Sequence, residues 1–311
     1  MMVRRNLLRV SFFLVFFYLV TLLFSSGCGI NQRAAGTVVA YIPQVRETEG
    51  IPILMYHKVN SDRRSGGLGL RVPVEEFEWQ MGYLKRAGYT TITLQDLYDY
   101  LTTGKKLPPR PVVITFDDGY LDNYENAYPI MKKHGFCATI FVVAERVGGI
   151  NSWDVQRGYP ANRLMTWEQL KELERNGFDI QAHTLTHPHL TRIPLPEAEK
   201  EIGGCKRELE KRLGKKVNFF AYPYGEYNRA IKDLVRKEGY LAAVVTRPQG
   251  KVKKGDDLYT LVRVRVNGYV DRQTFVNILA DPKEGYRIFY EHKKNIKPVP
   301  REVPKERVKN L

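Results

Sequence analysis

The stretch "MKKHGFCATIFVV" (131–143) passes from a lysine-rich polar segment through a glycine into an apolar, β-rich run. Glycine just past a helix suits a left-handed C-terminal cap, and basic residues in the last turn suit the negative end of the helix dipole. The same phrase returns as "LKRAGYTTITL" (84–94), "LERNGFDIQAH" (173–183), "EKRLGKKVNFFAY" (210–222) and "VRKEGYLAAVVT" (235–246). Helix starts agree with these ends: Thr93 with Asp96, and Thr166 with Gln169, offer N-terminal caps, the second pair as a capping box. Eight candidate strands follow, at 51–56, 89–93, 112–116, 138–143, 178–182, 217–221, 240–245 and 260–266. Their unbroken alternation with helices predicts an α/β fold, a closed or nearly closed (β/α) barrel of seven or eight strands rather than an open doubly wound sheet. No Gly-x-Gly-x-x-Gly or phosphate-loop pattern supports a nucleotide-binding fold.

A barrel of this kind builds its active site at the C-terminal ends of its strands. There the strand in "VVITFDDGYLDNY" (112–124) ends in Asp117 and Asp118. Adjacent carboxylates repel and are costly to desolvate, so their place at the end of a core strand asks for a cation. "FDIQA" ends in His183, with His187 four residues on, and Pro188 keeps "HTLTHPH" on a loop. Two imidazoles and one carboxylate can converge there on a single divalent metal. "ILMY" ends in His57 and "VNFFA" in "YPYG" (222–225), whereas His189, with no second acid after it, reads as a surface histidine.

"TFDDG" (115–119), "HTLTH" (183–187) and "FAYPYGEYN" (220–228), in this order and spacing, resemble the polysaccharide deacetylases of carbohydrate esterase family four, the NodB-homology domain, over roughly residues 51–280. The resemblance implies that Asp117 is the catalytic base and that Asp118, His183 and His187 hold the metal. It also implies that the backbone N–H of Tyr224 stabilises the oxyanion. Metal coordination would lower the pKa of the attacking water toward ~7.

Two departures stand out: Ala221 occupies the place of the family's base-orienting Arg, and the C-terminal Leu-x-His that supplies the general acid is absent. His57 ends the first strand, which lies beside the last in a closed barrel, and is expected to supply the acid; the alternative is a core histidine bonded to backbone. The order of motifs resembles the permuted branch of poly-β-1,6-N-acetyl-D-glucosamine N-deacetylases. Trp153, Trp167, Tyr222 and Tyr227 are candidate sugar-stacking residues, together with Tyr159 and Tyr224, and the Gly-rich "SDRRSGGLGLRV" (61–72) reads as a mobile loop beside the groove or the membrane.

Arg4, Arg5 and Arg9 precede the apolar run "FFLVFFYLVTLLF" (12–24), which is short for a bilayer-spanning helix. Residues 1–30 therefore read as a signal peptide or membrane anchor, with Cys28 a candidate lipidation site. Residues 31–50 read as a linker, 51–290 as the catalytic domain and 291–311 as a basic flexible tail. Cys137 and Cys205, in a predicted strand and helix, read as buried thiols.

The net charge of +15 suits an anionic membrane or cell surface. No motif accompanies the charge to support nucleic-acid binding. The resulting expectation is an exported, monomeric, metal-dependent deacetylase of an N-acetylated polysaccharide. The metal is zinc, or else cobalt or nickel. Poly-β-1,6-N-acetyl-D-glucosamine is the first candidate polymer. Peptidoglycan, chitin oligomers and acetylated xylan are the alternatives, and a non-catalytic binding module is the reading from another class.

Overall fold

The computed structural model describes residues 46–295. Its strands run in chain order as β1 (Ile53–Tyr56), β2 (Lys58–Val59), β3 (Arg71–Val72), β4 (Thr90–Thr91), β5 (Pro111–Phe116), β6 (Thr139–Val142), β7 (Asp179–Ala182), β8 (Phe219–Ala221), β9 (Ala242–Gln249) and β10 (Leu261–Arg265). Helices α1 (Val74–Arg86), α2 (Leu94–Thr103), α3 (Tyr128–His134), α4 (Ser152–Val155), α5 (Trp167–Arg175), α6 (Leu195–Leu213), α7 (Arg229–Lys237), α8 (Arg272–Ala280) and α9 (Pro282–Asn295) lie between and after them.

The sheet runs β1-β10-β9-β8-β7-β6-β5, and β5 returns to β1 through Ile53↔Val113 to Tyr56↔Phe116, closing a ring of seven parallel strands. The expected strand at 89–93 is not a stave of this ring. Only Thr90 and Thr91 are extended, pairing with the start of β5, because Thr93 already caps α2. Both anticipated caps form, Thr93 with Asp96 and Thr166 with Gln169, each as a full capping box. Gly88, Gly135, Gly177, Gly214 and Gly239 follow the five predicted helices with φ between 69° and 84°, the left-handed region that closes a helix.

Strand alternation sorts the core into two layers. Ile53, Val113, Phe141, Phe219, Ala221, Val244 and Leu261 fill the barrel lumen. Leu54, Ile114, Phe116, Ile140, Ile180, Phe220 and Val264 face outward beneath the helices. Carried upward, the lumen-facing parity runs 53, 55, 57 in β1, 113, 115, 117 in β5, 181, 183 in β7 and 261, 263, 265 in β10. The same alternation that buries aliphatic residues at the base therefore brings His57, Asp117, His183 and Arg263 together at the mouth.

The segment after β1 is not the loose loop its glycines suggest. Lys58 Nζ donates to the Ser65 carbonyl (2.6 Å), Arg71 to the Asn60 and Gly66 carbonyls (2.9 and 3.1 Å), and Arg265 to the Gly69 carbonyl (2.9 Å). These bonds fix residues 66–70 as one wall of the mouth. The signal-like segment, Cys28 and residues 296–311 lie outside the described residues. Helix α9 carries regular structure five residues past the point where the flexible tail was expected to begin. Cys205 is buried and Cys137 half-buried, both as free thiols. Among the described residues no helix is long and apolar enough to cross a membrane.

Candidate active site

Asp118, His183 and His187 are buried at the mouth, with one donor atom from each within 4.8 Å of the others. The Nε2 atoms of His183 and His187 stand 3.3 and 3.4 Å from Asp118 Oδ1. That oxygen is buried and accepts no hydrogen bond from the protein, an arrangement that costs free energy unless a cation completes it. His183 Nδ1 faces the Ala221 carbonyl at 2.7 Å, which assigns its proton there and leaves Nε2 free as a ligand. Burial pushes His187 down to about 3, so its imidazole is neutral and also able to ligate. For Asp118, burial acts upward, but contact with His183 and the nearby His187 and His57 outweigh it and hold the carboxylate well below its usual range. One carboxylate and two imidazoles fit a zinc, cobalt or nickel ion with positions left open.

Asp117 faces a different partner. Arg263, fully buried, sends Nη1 and Nη2 to Asp117 Oδ1 and Oδ2 at 2.7 Å each. Its Nη1 also reaches Thr115 Oγ1 (3.1 Å), and its Nε the Val245 carbonyl (3.1 Å). Burial would raise Asp117, but the Arg263 charge and hydrogen bonds, with His183 and His57 adding to them, keep it ionised and below its ordinary value. The position left empty by Ala221 thus has a counterpart on another strand. Sequence reasoning missed Arg263, although "LVRVR" carries the signal: an arginine at lumen parity in a core strand needs a carboxylate partner.

His57 Nε2 stands 4.0 Å from Asp117 Oδ2, the same oxygen that accepts from Arg263 Nη2. Among the described residues its ring makes no bond to backbone. Burial lowers its pKa, with Arg265 and Arg263 adding to the effect and Asp118 and Asp117 opposing it. Tyr224 sits at φ 61°, and Asp118, Thr184 and His187 also have positive φ, at 76°, 67° and 69°. Strained backbone in non-glycine residues gathers where side chains must be aimed.

A cavity of about 600 Å³ opens over these groups, walled by residues 66–70 on one side and by Trp153, Arg157 and Tyr159 on the other. Of the six expected sugar-stacking residues, Trp153, Tyr159 and Tyr224 line it, and Trp153 stacks on His187, with centroids 4.7 Å apart. The other three lie elsewhere. Tyr222 points outward, since Ala221 takes the lumen parity, and its hydroxyl donates to the Tyr259 carbonyl in the core. Tyr227 stacks on Tyr222. Trp167 opens α5 on the outer surface, under Arg212. His189, expected as a solvated loop residue, instead stacks on Tyr224 (3.8 Å between centroids) and meets Glu226 Oε2 at 2.9 Å.

A closed seven-stranded parallel barrel with this cluster at its mouth defines the NodB-type (β/α) barrel hydrolases. The polysaccharide deacetylase profile matches residues 104–243. YxkH of Bacillus subtilis, which carries a polysaccharide deacetylase name, is 36% identical over 217 residues, covering 70% of this chain and 71% of that one. The poly-β-1,6-N-acetyl-D-glucosamine N-deacetylase of Staphylococcus aureus is 28% identical over 197 residues, 60% of this chain and 65% of its own length. Among solved structures, the Streptococcus pyogenes deacetylase PplD superposes with a TM-score of 0.63 at 29% identity, covering 74% of this chain and 97% of that one. IcaB from Ammonifex degensii gives 0.64 at 26%, covering 76% and 98%. The chain belongs to the polysaccharide deacetylase family, and is a hydrolase of carbon–nitrogen bonds other than peptide bonds.

Proposed function

We propose that this protein is an exported, metal-dependent N-deacetylase that removes acetyl groups from N-acetylglucosamine units of a surface polysaccharide. The observation that carries this reading is the division of labour between adjacent carboxylates. Asp118 faces two imidazoles, and Asp117 is locked by Arg263 with His57 just beyond. A divalent cation held by Asp118, His183 and His187 would supply Lewis acidity toward the attacking water and the acetyl carbonyl. Asp117, kept ionised by Arg263, takes a proton from that water. The Tyr224 backbone N–H serves as oxyanion donor, a contribution of the order of 3 kcal/mol. His57, in its imidazolium form, protonates the leaving nitrogen as the C–N bond breaks, leaving acetate and a free amine; burial lowers its pKa, so that form is depleted as pH rises.

Poly-β-1,6-N-acetyl-D-glucosamine is the polymer to test first, because the S. aureus relative carries that name. The amino-terminal arginines, the apolar run and the basic excess support export and attachment to an anionic surface, with Cys28 as a lipid anchor. Acetate and free amines released from this polymer, with and without chelator and beside His57→Ala, test the reading. Metal-dependent release that collapses in the variant supports both the reaction and the acid. Release that survives the variant removes His57 from its role. Absence of release from this polymer, chitin oligomers and acetylated xylan points to a binding module.

A further inference from the structure

Three arginines line the catalytic cavity without a carboxylate partner: Arg157, Arg247 and Arg265. Among the described residues none of them is in an ion pair, in contrast to Arg263 one turn of the strand pleat below. Arg265 donates Nη2 to the Gly69 carbonyl, while its Nε is buried with no acceptor. Arg157 lies over the rings of Tyr159 and Tyr224, 5.6 and 5.7 Å from their centroids. Arg247 is exposed at the rim.

The remaining charges in the lining are already engaged. Asp117 is held by Arg263 and Asp118 faces the histidines. Asp154 accepts from the Tyr120 hydroxyl and the Asn151 amide. Lys58 is bound to the Ser65 carbonyl and lies in the field of Asp122 and Asp154. What is left over the substrate path is three guanidinium groups.

A neutral polymer offers such a lining only uncharged acceptors, its hydroxyls, ether oxygens and acetamido carbonyls, and each deacetylation would place a new ammonium among like charges. Guanidinium forks match carboxylate and phosphate groups, and those bonds are the strong, charge-assisted kind. We propose that the cavity binds a polysaccharide carrying an anionic group, carboxylate or phosphate, on a sugar next to the acetylated one, held by Arg157, Arg247 and Arg265. This rests on the deacetylase reading and makes an unmodified N-acetylglucosamine homopolymer the weaker substrate.

The test compares deacetylation by the metal-loaded full chain of four N-acetylglucosamine oligomers. One is neutral, one bears a carboxylate on the neighbouring sugar, one has that carboxylate converted to its methyl amide, and one bears a phosphate there. The expected kcat/KM is about tenfold to a hundredfold higher for an anionic oligomer than for the amide. The preference shrinks as salt is raised. It falls toward unity in Arg157→Gln and Arg247→Gln, whose positions at the surface spare the fold. The carboxylate and phosphate arms show which anion the lining prefers. Equal kcat/KM across the neutral, amide and anionic oligomers, or a preference untouched by salt and by both variants, overturns the inference while the deacetylase reading stands. Acetate release from none of the four overturns the deacetylase reading and this inference with it.

Discussion

Replacing Arg263 by methionine removes a guanidinium that makes two 2.7 Å bonds to Asp117 and further bonds to Thr115 and Val245, all out of contact with water. Breaking a buried ion pair from one side leaves the other charge uncompensated, at a cost of about 3–5 kcal/mol. Asp117 can escape part of that cost by taking up a proton, because burial, the influence that raises it, is no longer opposed by the arginine. In the variant its folded pKa therefore rises above the unfolded value. The loss of stability is smallest below the parent's folded pKa, where Asp117 is protonated in both proteins, and grows as pH rises toward 8. In the parent the sign is opposite: the depressed Asp117 contributes stability above its unfolded pKa and loses it as pH falls through the folded one. A protonated Asp117 cannot accept a proton from water, so the acid limb of the activity profile moves to higher pH. Urea unfolding at several pH values, with kcat/KM profiles for both proteins, reads these effects. Adding Asp117→Asn to the methionine variant restores most of the stability but none of the activity. An Arg263→Met protein with parental stability and an unmoved acid limb would refute the reasoning.

Further outcomes follow from the same geometry. Burial pushes Asp122 up to about 7 from its ordinary 3.8, so ionising it in the fold costs at most about 4 kcal/mol. Asp122→Asn is therefore expected to stabilise the protein above pH 7 and to lose that advantage below pH 4, measurable as melting temperature against pH. At Gly225, with φ 71°, an added Cβ would meet Thr246 Oγ1 at 1.9 Å. Gly225→Ala should cost roughly 2–4 kcal/mol by urea unfolding, and a second change, Thr246→Gly, should recover the steric part. Asp118→Asn should weaken zinc binding in a competition titration by at least about a hundredfold while the barrel stays folded, since it removes the only charged ligand from the cluster. His189→Ala should leave metal affinity alone and lower kcat by freeing Tyr224 from its stacking partner.

The barrel was legible because the helix-Gly-strand phrase repeats, and each repeat names both a helix end and the strand behind it. The segment at 89–93 escaped that logic, since its β-rich composition could not show that the cap at Thr93 leaves only two residues extended. Asp117, Asp118, His183 and His187 could be found because polar groups at the end of apolar strands stand out. Arg263 could have been found by counting parity along β10, and Tyr222 could have been assigned to the outer face by the same count from Ala221. The tethering of residues 61–72 was not legible. It depends on carbonyl oxygens meeting Lys58, Arg71 and Arg265, and backbone acceptors leave no mark in a sequence. The stacking of His189 on Tyr224 joins two loops on different strands and was equally hidden.

Metal content and acetate release measured on the same sample, before chelation, after it and after zinc is returned, bear most directly on the assignment of Asp118, His183 and His187 around an active cation. The expected result is about one divalent ion per chain, the stoichiometry of a single Asp–His–His site. Acetate release from N-acetylated polysaccharide should fall with the ion's removal, recover with its return, and remain absent in Asp118→Asn. Undiminished release from metal-free protein would contradict the account.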